Sequence, residues 1–161
     1  MARIPYAPQE NPGADHPMNL FRMLAHSKPV SKGFAKLGTA LLSECKLDSK
    51  LREMAILRVG LRARAAYEVG KHLEIGRLVG LSEAQLEALH PGADQETLGE
   101  TGRAVLALAD ELFTQVRASD ETLEGVRRHL GDQETVELVV TIGYYGMVCR
   151  VLETLGVDIE K

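Results

Sequence analysis

Glu68 and His72 stand four residues apart in a segment with helical apolar spacing, so their side chains share one face with Cβ atoms roughly 5 to 6 Å apart. A carboxylate beside an imidazole raises the imidazole's proton affinity, and the imidazolium in turn favours the ionised carboxylate. Such a pair holds one exchangeable proton near neutral pH, which is the equipment of a general acid or base. The same spacing on an exposed helix makes an ordinary solvated pair. Tyr67 beside Glu68, the small residues Ala65 and Ala66 just before it, and Gly76 one turn beyond His72 favour the chemical reading, because they suggest a helix face kept clear for a ligand.

Glu53 adds a second carboxylate. Its helical neighbours Ile56, Leu57 and Gly60 are apolar or small, so it projects from a helix expected to be largely buried, and a buried carboxylate needs a partner. Lys50, Arg52, Arg58, Arg62 and Arg64 are candidate structural partners, and His72 is the functional one. Two carboxylates and an imidazole could together bind a divalent cation. No second histidine stands at helical spacing, however, since His16, His26, His90 and His129 are scattered; no metal or other cofactor is expected. On the last helix Tyr144, Tyr145 and Arg150 offer hydroxyls and a guanidinium that could receive a substrate carboxylate. The simpler reading packs the tyrosines in the core or at a subunit contact.

These groups must be positioned by helices. Leu20, Met23 and Leu24 open a helical pattern from Asn19, and a second helix starts around Pro29, which suits a first turn. Asp48 is a candidate N-cap for a third, whose broad apolar surface from Leu51 to Leu61 marks it as the central helix. A fourth is expected from about Ala65 to Val79, stopped by Gly80; Ser82 with Gln85 then matches a capping box for a short fifth. A long helix after Asp94, a shorter one between Ser119 and Leu130, and a final one capped by Asp132 and closed by Gly156 complete the chain. No segment alternates strictly enough for a strand. The expectation is an all-α, single-domain bundle of about seven or eight helices over residues 18–161. It is preceded by an extended arm, residues 1–17, that holds four of the six prolines.

At 161 residues with a 45% apolar share, the chain can build a core without metal or disulfide. The net charge of −4, with both signs interspersed, offers no basic stripe for nucleic acid. The longest apolar runs fall short of a bilayer span and the N-terminus lacks a signal-peptide core, so no membrane partner is expected and a cytoplasmic location is. Cys45 and Cys149 form no metal-ligand or Cys-x-x-Cys spacing and read as ordinary reduced thiols.

Three stretches resemble a known family: Leu51-Arg52-Glu53-Met54-Ala55-Ile56-Leu57, then Ala65-Ala66-Tyr67-Glu68-Val69-Gly70-Lys71-His72, then Gly80-Leu81-Ser82. A fourth, Glu137 to Arg150, resembles the last helix of its larger members. The family is that of carboxymuconolactone decarboxylase, which includes the alkylhydroperoxidase D proteins. The resemblance covers about Met18 to Val157. It implies an alkylhydroperoxidase D-like helical fold, assembly as homotrimer or homohexamer, and a small-molecule pocket near a subunit interface. In the peroxidase branch a Glu and a His relay protons to a Cys-x-x-Cys pair. Glu53 and His72 match that Glu and His, but the two cysteine positions hold Ala65 and Glu68.

The resemblance therefore points to the decarboxylase-like branch, in which a small carboxylated lactone loses CO2 without a cofactor. The expected function is a cofactor-independent acid/base lyase or isomerase with Glu53, Glu68 and His72 as catalytic groups. Tyr67, Tyr144 and Arg150 are the expected substrate-binding groups. The alternatives are a thiol-dependent peroxidase using Cys45 or Cys149, and a non-catalytic oligomeric ligand-binding protein.

Overall fold

The computed structural model describes residues 1–160. Among them the chain is all-α, as its periodicity predicts, with eight α-helices and no strand. These are α1 Asn19–Leu24, α2 Lys28–Ser43, α3 Ser49–Ala63, α4 Ala66–Leu78, α5 Glu83–Ala88, α6 Gly99–Thr114, α7 Asp120–Arg127 and α8 Asp132–Leu155. Local chemistry sets several boundaries where expected. The Asp48 carboxylate accepts from the Lys50 and Leu51 amides at the start of α3, and Ser82 with Gln85 closes a capping box on α5. Gly80, at φ +91°, ends α4 in the left-handed conformation that a side chain would disfavour.

Two boundaries differ from the sequence expectation. A 3-10 turn, Glu96–Leu98, precedes α6, so the long helix begins only at Gly99. Asp132 lies inside the first turn of α8 instead of capping it: its carboxylate pairs with Arg127 at 3.1 Å, and Glu134 accepts the Gly131 amide. The carboxylate three residues past Gly131 thus reaches back to satisfy a free amide at the start of the helix.

The described residues form two compact units. One comprises Met1–Glu44 and the residues from Arg150 on. In it the proline-rich arm is tied to the end of the chain: the Arg3 amide donates to the Leu155 carbonyl at 2.8 Å, and the Tyr6 hydroxyl to the Asp158 carboxylate at 3.2 Å. The Asn19 side-chain amide donates to the Asp158 carbonyl at 2.9 Å.

The other unit, Cys45–Cys149, is organised around α3, which packs against both α4 and α6. Every residue from Arg52 to Gly60 is buried. Met54 and Leu57 join Leu81, Leu86, Leu89, Leu98 and Leu106 in one apolar cluster, in which each fully enclosed leucine contributes roughly 1.5–3 kcal/mol. A buried clamp fastens α3 to α6. The Arg58 guanidinium donates to both Asp110 carboxylate oxygens, at 2.7 and 2.6 Å, and to the Leu89 carbonyl at 2.8 Å. Asp110→Ala is expected to lower unfolding free energy by about 2 kcal/mol, because it strands a buried guanidinium that water reaches only from the half-exposed Asp110 side. Urea denaturation reads this, and a loss under about 0.5 kcal/mol, the range of exposed pairs, would show the clamp to be a surface contact.

Helix α8 is 24 residues long with a mean hydropathy of 1.4 over its most apolar window, which by length and composition alone would suffice to cross a membrane. Short apolar runs understate this, because the apolar residues are spread over the whole helix. Within the fold 56% of that window is buried, the pattern of a core helix.

Candidate active site

A tight turn between α3 and α4 creates the site. Arg64 ends α3 with φ +55°, the one non-glycine residue with positive φ among those described, and the Ala65 amide returns to the Gly60 carbonyl at 3.0 Å. A left-handed arginine costs about 1 kcal/mol, offset here by the packing it permits. The chain doubles back at once, laying α4 on α3. Gly60 makes the approach close: a Cβ there would sit 3.0 Å from Val69 Cγ2 and 3.8 Å from Glu68 Cγ.

This hairpin brings Glu53, Glu68 and His72 together. His72 Nδ1 lies 2.6 Å from Glu53 Oε2, and Nε2 lies 3.1 Å from Glu68 Oε1. All three are enclosed, at 0%, 4% and 6% exposure for Glu53, Glu68 and His72. Glu53 has two partners: Arg52 Nε lies 3.4 Å from its other oxygen, Oε1. The structural and functional partners weighed for Glu53 in the sequence are thus both present, one per oxygen. With each ring nitrogen directed at a carboxylate, His72 is held as a doubly donating imidazolium. Burial disfavours its charge, but hydrogen bonds to Glu53 and Glu68 and their negative charges outweigh burial and push its pKa up from 6.5 to about 9.

Among the described residues no group of three or more His, Cys, Asp or Glu side chains is arranged to hold an ion.

The tyrosine found in ring contact with His72 is Tyr145, from α8. The two rings stand edge to face, centroids 5.0 Å apart at 85°, and Tyr144 packs next to Tyr145 at 5.2 Å and 76°. Burial, then the charge of Glu68, pushes both phenols to hold their protons more tightly than usual. Tyr144 and Tyr145, weighed together in the sequence as hydroxyls for a substrate carboxylate, are therefore both near the carboxylates, and it is Tyr145 that meets the imidazole. The apolar period of α8 carries the signal for Tyr145. Leu138, Ile142, Tyr145, Cys149 and Leu152 recur every three or four residues and all are buried.

Tyr67, Arg150 and Gly76 complete the expected groups. Tyr67 is buried, with the Lys71 ammonium 5.9 Å from its ring centre. Arg150 is exposed and belongs to the other compact unit. Gly76 does not leave a clear face: a Cβ there would meet Leu86, Leu81 and Leu57 at 3.2–3.4 Å, so the glycine serves the packing of α4 on its neighbours. Of the thiols, Cys149 is 2% exposed, and Cys45 is hydrogen-bonded to the Glu137 carboxylate.

Comparison with known proteins gives a consistent picture of the fold. The model of the carboxymuconolactone decarboxylase family matches residues 29–111. No functionally curated protein matches the chain. Among solved structures, a protein of unknown function from Agrobacterium tumefaciens, named as a candidate antioxidant defence protein AhpD, is 24% identical. It superposes with a TM-score of 0.77 over 84% of this chain and 94% of that one. An uncharacterised peroxidase-related protein from Ralstonia eutropha with an alkylhydroperoxidase AhpD core is 21% identical, with a TM-score of 0.76 over 88% and 76%. The debrominase Bmp8, solved as a cysteine-to-alanine variant with 2,3,4-tribromopyrrole, is 13% identical, with a TM-score of 0.79 over 99% and 94%.

Proposed function

The chain belongs to the carboxymuconolactone decarboxylase family, and from that premise we propose that it is a cofactor-independent acid/base enzyme. Its reaction is decarboxylation or isomerisation of a small carboxylated or lactone-like metabolite. One observation carries this reading: the buried His72 imidazole bridges two carboxylates, Glu53 at 2.6 Å and Glu68 at 3.1 Å.

Glu53 is the anchor, since both its oxygens are engaged and it is wholly buried. Glu68 is the working end, because only Oε1 faces the imidazole and Oε2 has no hydrogen bond among the described residues. His72 keeps Glu68 ionised and ready to take a proton, and after CO2 leaves an enolate behind it supplies the proton that Glu68 returns to carbon. A carboxylate therefore stands where the peroxidase branch has a thiol. The debrominase complex with tribromopyrrole, on the same fold, is in keeping with a small ring as substrate.

Turnover is tested by incubating the purified protein with small carboxylated lactones and measuring CO2 release and product by NMR. His72→Gln is expected to lose turnover about a hundredfold or more while remaining folded; wild-type turnover in that variant would show the roles to be misassigned. A thiol peroxidase reading makes a different demand. Hydrogen peroxide consumption is expected at the buffer rate, and consumption that vanishes in Cys45→Ser or Cys149→Ser would replace the acid/base account with that one.

We also propose a homo-oligomer, a trimer or hexamer, in the cytoplasm. Val136, Val139, Val140 and Met147 leave an apolar stripe 38–62% exposed along α8, which a second copy would cover. Sedimentation velocity reads the subunit count.

A further inference from the structure

Tyr145 is 4% exposed, yet its hydroxyl has no hydrogen-bond partner among the described residues. A buried hydroxyl left unpaired is costly, and most are satisfied within the protein or by what binds to it. Glu68 Oε2 likewise has no hydrogen bond among the described residues. These two unsatisfied groups, one donor and one acceptor, belong to residues that both contact a single imidazole: Glu68 through Oε1 at 3.1 Å, and Tyr145 through its ring, with centroids 5.0 Å apart.

We infer that Tyr145 is a catalytic residue, whose phenol donates a hydrogen bond to the substrate oxygen that turns anionic while Glu68 moves the proton at the neighbouring carbon. The inference rests on the reading of Glu68 as the proton carrier and names what the other half of the site does. In the first step the C–H bond beside a carbonyl breaks, and its proton passes to Glu68 Oε2. The electron pair forms the C=C bond of an enolate, and the charge settles on the former carbonyl oxygen. Tyr145 donates to that oxygen without surrendering its own proton, because burial and the charges of Glu68 and Glu53 make the phenol a weaker acid than usual. When CO2 departs instead of a proton, the same enolate forms and the same donor serves it. The substrate class is therefore a carbon acid: a small molecule whose reacting carbon adjoins a carbonyl or lactone carbonyl.

The test uses the full-length protein in D2O with α-angelica lactone, acetoacetate and pyruvate as probes, and follows replacement of C–H by C–D by NMR. Wild type is expected to exchange at least one probe above the buffer rate, Tyr145→Phe to exchange it about a hundredfold more slowly, and Glu68→Gln not to exchange it. Because the hydroxyl has no structural partner, Tyr145→Phe is also expected to unfold at the same urea concentration as wild type or a higher one. Exchange by Tyr145→Phe at the wild-type rate, or a lowered urea midpoint, overturns the role of Tyr145 and leaves Glu68 standing. Exchange by Glu68→Gln at the wild-type rate, or no exchange of any probe by wild type, overturns the acid/base reading and Tyr145 with it.

Discussion

Glu68→Gln is expected to lower turnover about a thousandfold while leaving the fold and the oligomer intact. The amide has the shape of the carboxylate, and its oxygen can still accept from His72 Nε2, now 3.1 Å from Glu68 Oε1. It cannot take or return a proton. The substitution also removes one of two negative charges beside the imidazole, so His72 holds its proton less firmly and relies on Glu53 alone. Steady-state kinetics beside a urea titration separates chemistry from folding. An unchanged kcat would show that Glu68 only props the imidazole in place.

The second large effect is on stability and depends on pH. His72 binds its proton more tightly in the folded protein, with a pKa of about 9 against 6.5 for the free side chain. Its contribution is therefore complete below pH 6.5, declines as pH rises from 6.5 through 9, and is absent above that. The difference corresponds to about 3 kcal/mol, a large share of the 5–15 kcal/mol typical of a domain. Unfolding free energies from pH 6 to pH 10 should fall by about that much more in wild type than in His72→Gln, a comparison that cancels titration of the cysteines and the other tyrosines. Parallel curves for the two proteins would mean that the imidazole is not charged in the folded state.

Most of the fold is legible in the sequence because local chemistry and apolar period agree. Asp48, Gly80 and the Ser82–Gln85 box mark real helix ends, and the continuous apolar face of α3 marks the hub. The pairing of Glu68 with His72 is equally local, being four residues along one helix. Glu53 lies nineteen residues from His72, and its approach depends on a left-handed Arg64 and on the missing side chain at Gly60. Neither announces itself in the residue pattern, since most arginines never adopt that conformation.

The tyrosines show the same limit at finer grain. Tyr144 and Tyr145 are neighbours in sequence but point about 100° apart on a helix, and which one meets His72 is decided by how α8 sits on the core. Gly76 failed as a ligand signal because three leucines from elsewhere in the fold fill the space beside it. Small residues on a helix face mark close contact, and the sequence does not say whether the contact is a ligand or a leucine.

The central claim is that His72 is an imidazolium donating to two buried carboxylates. A 15N NMR titration of the histidine side chains tests it most directly. The account predicts that both ring nitrogens of residue 72 remain protonated through neutral pH and titrate together near 9. A neutral ring at pH 7, or a midpoint near 6.5 like that of an exposed histidine, would contradict it.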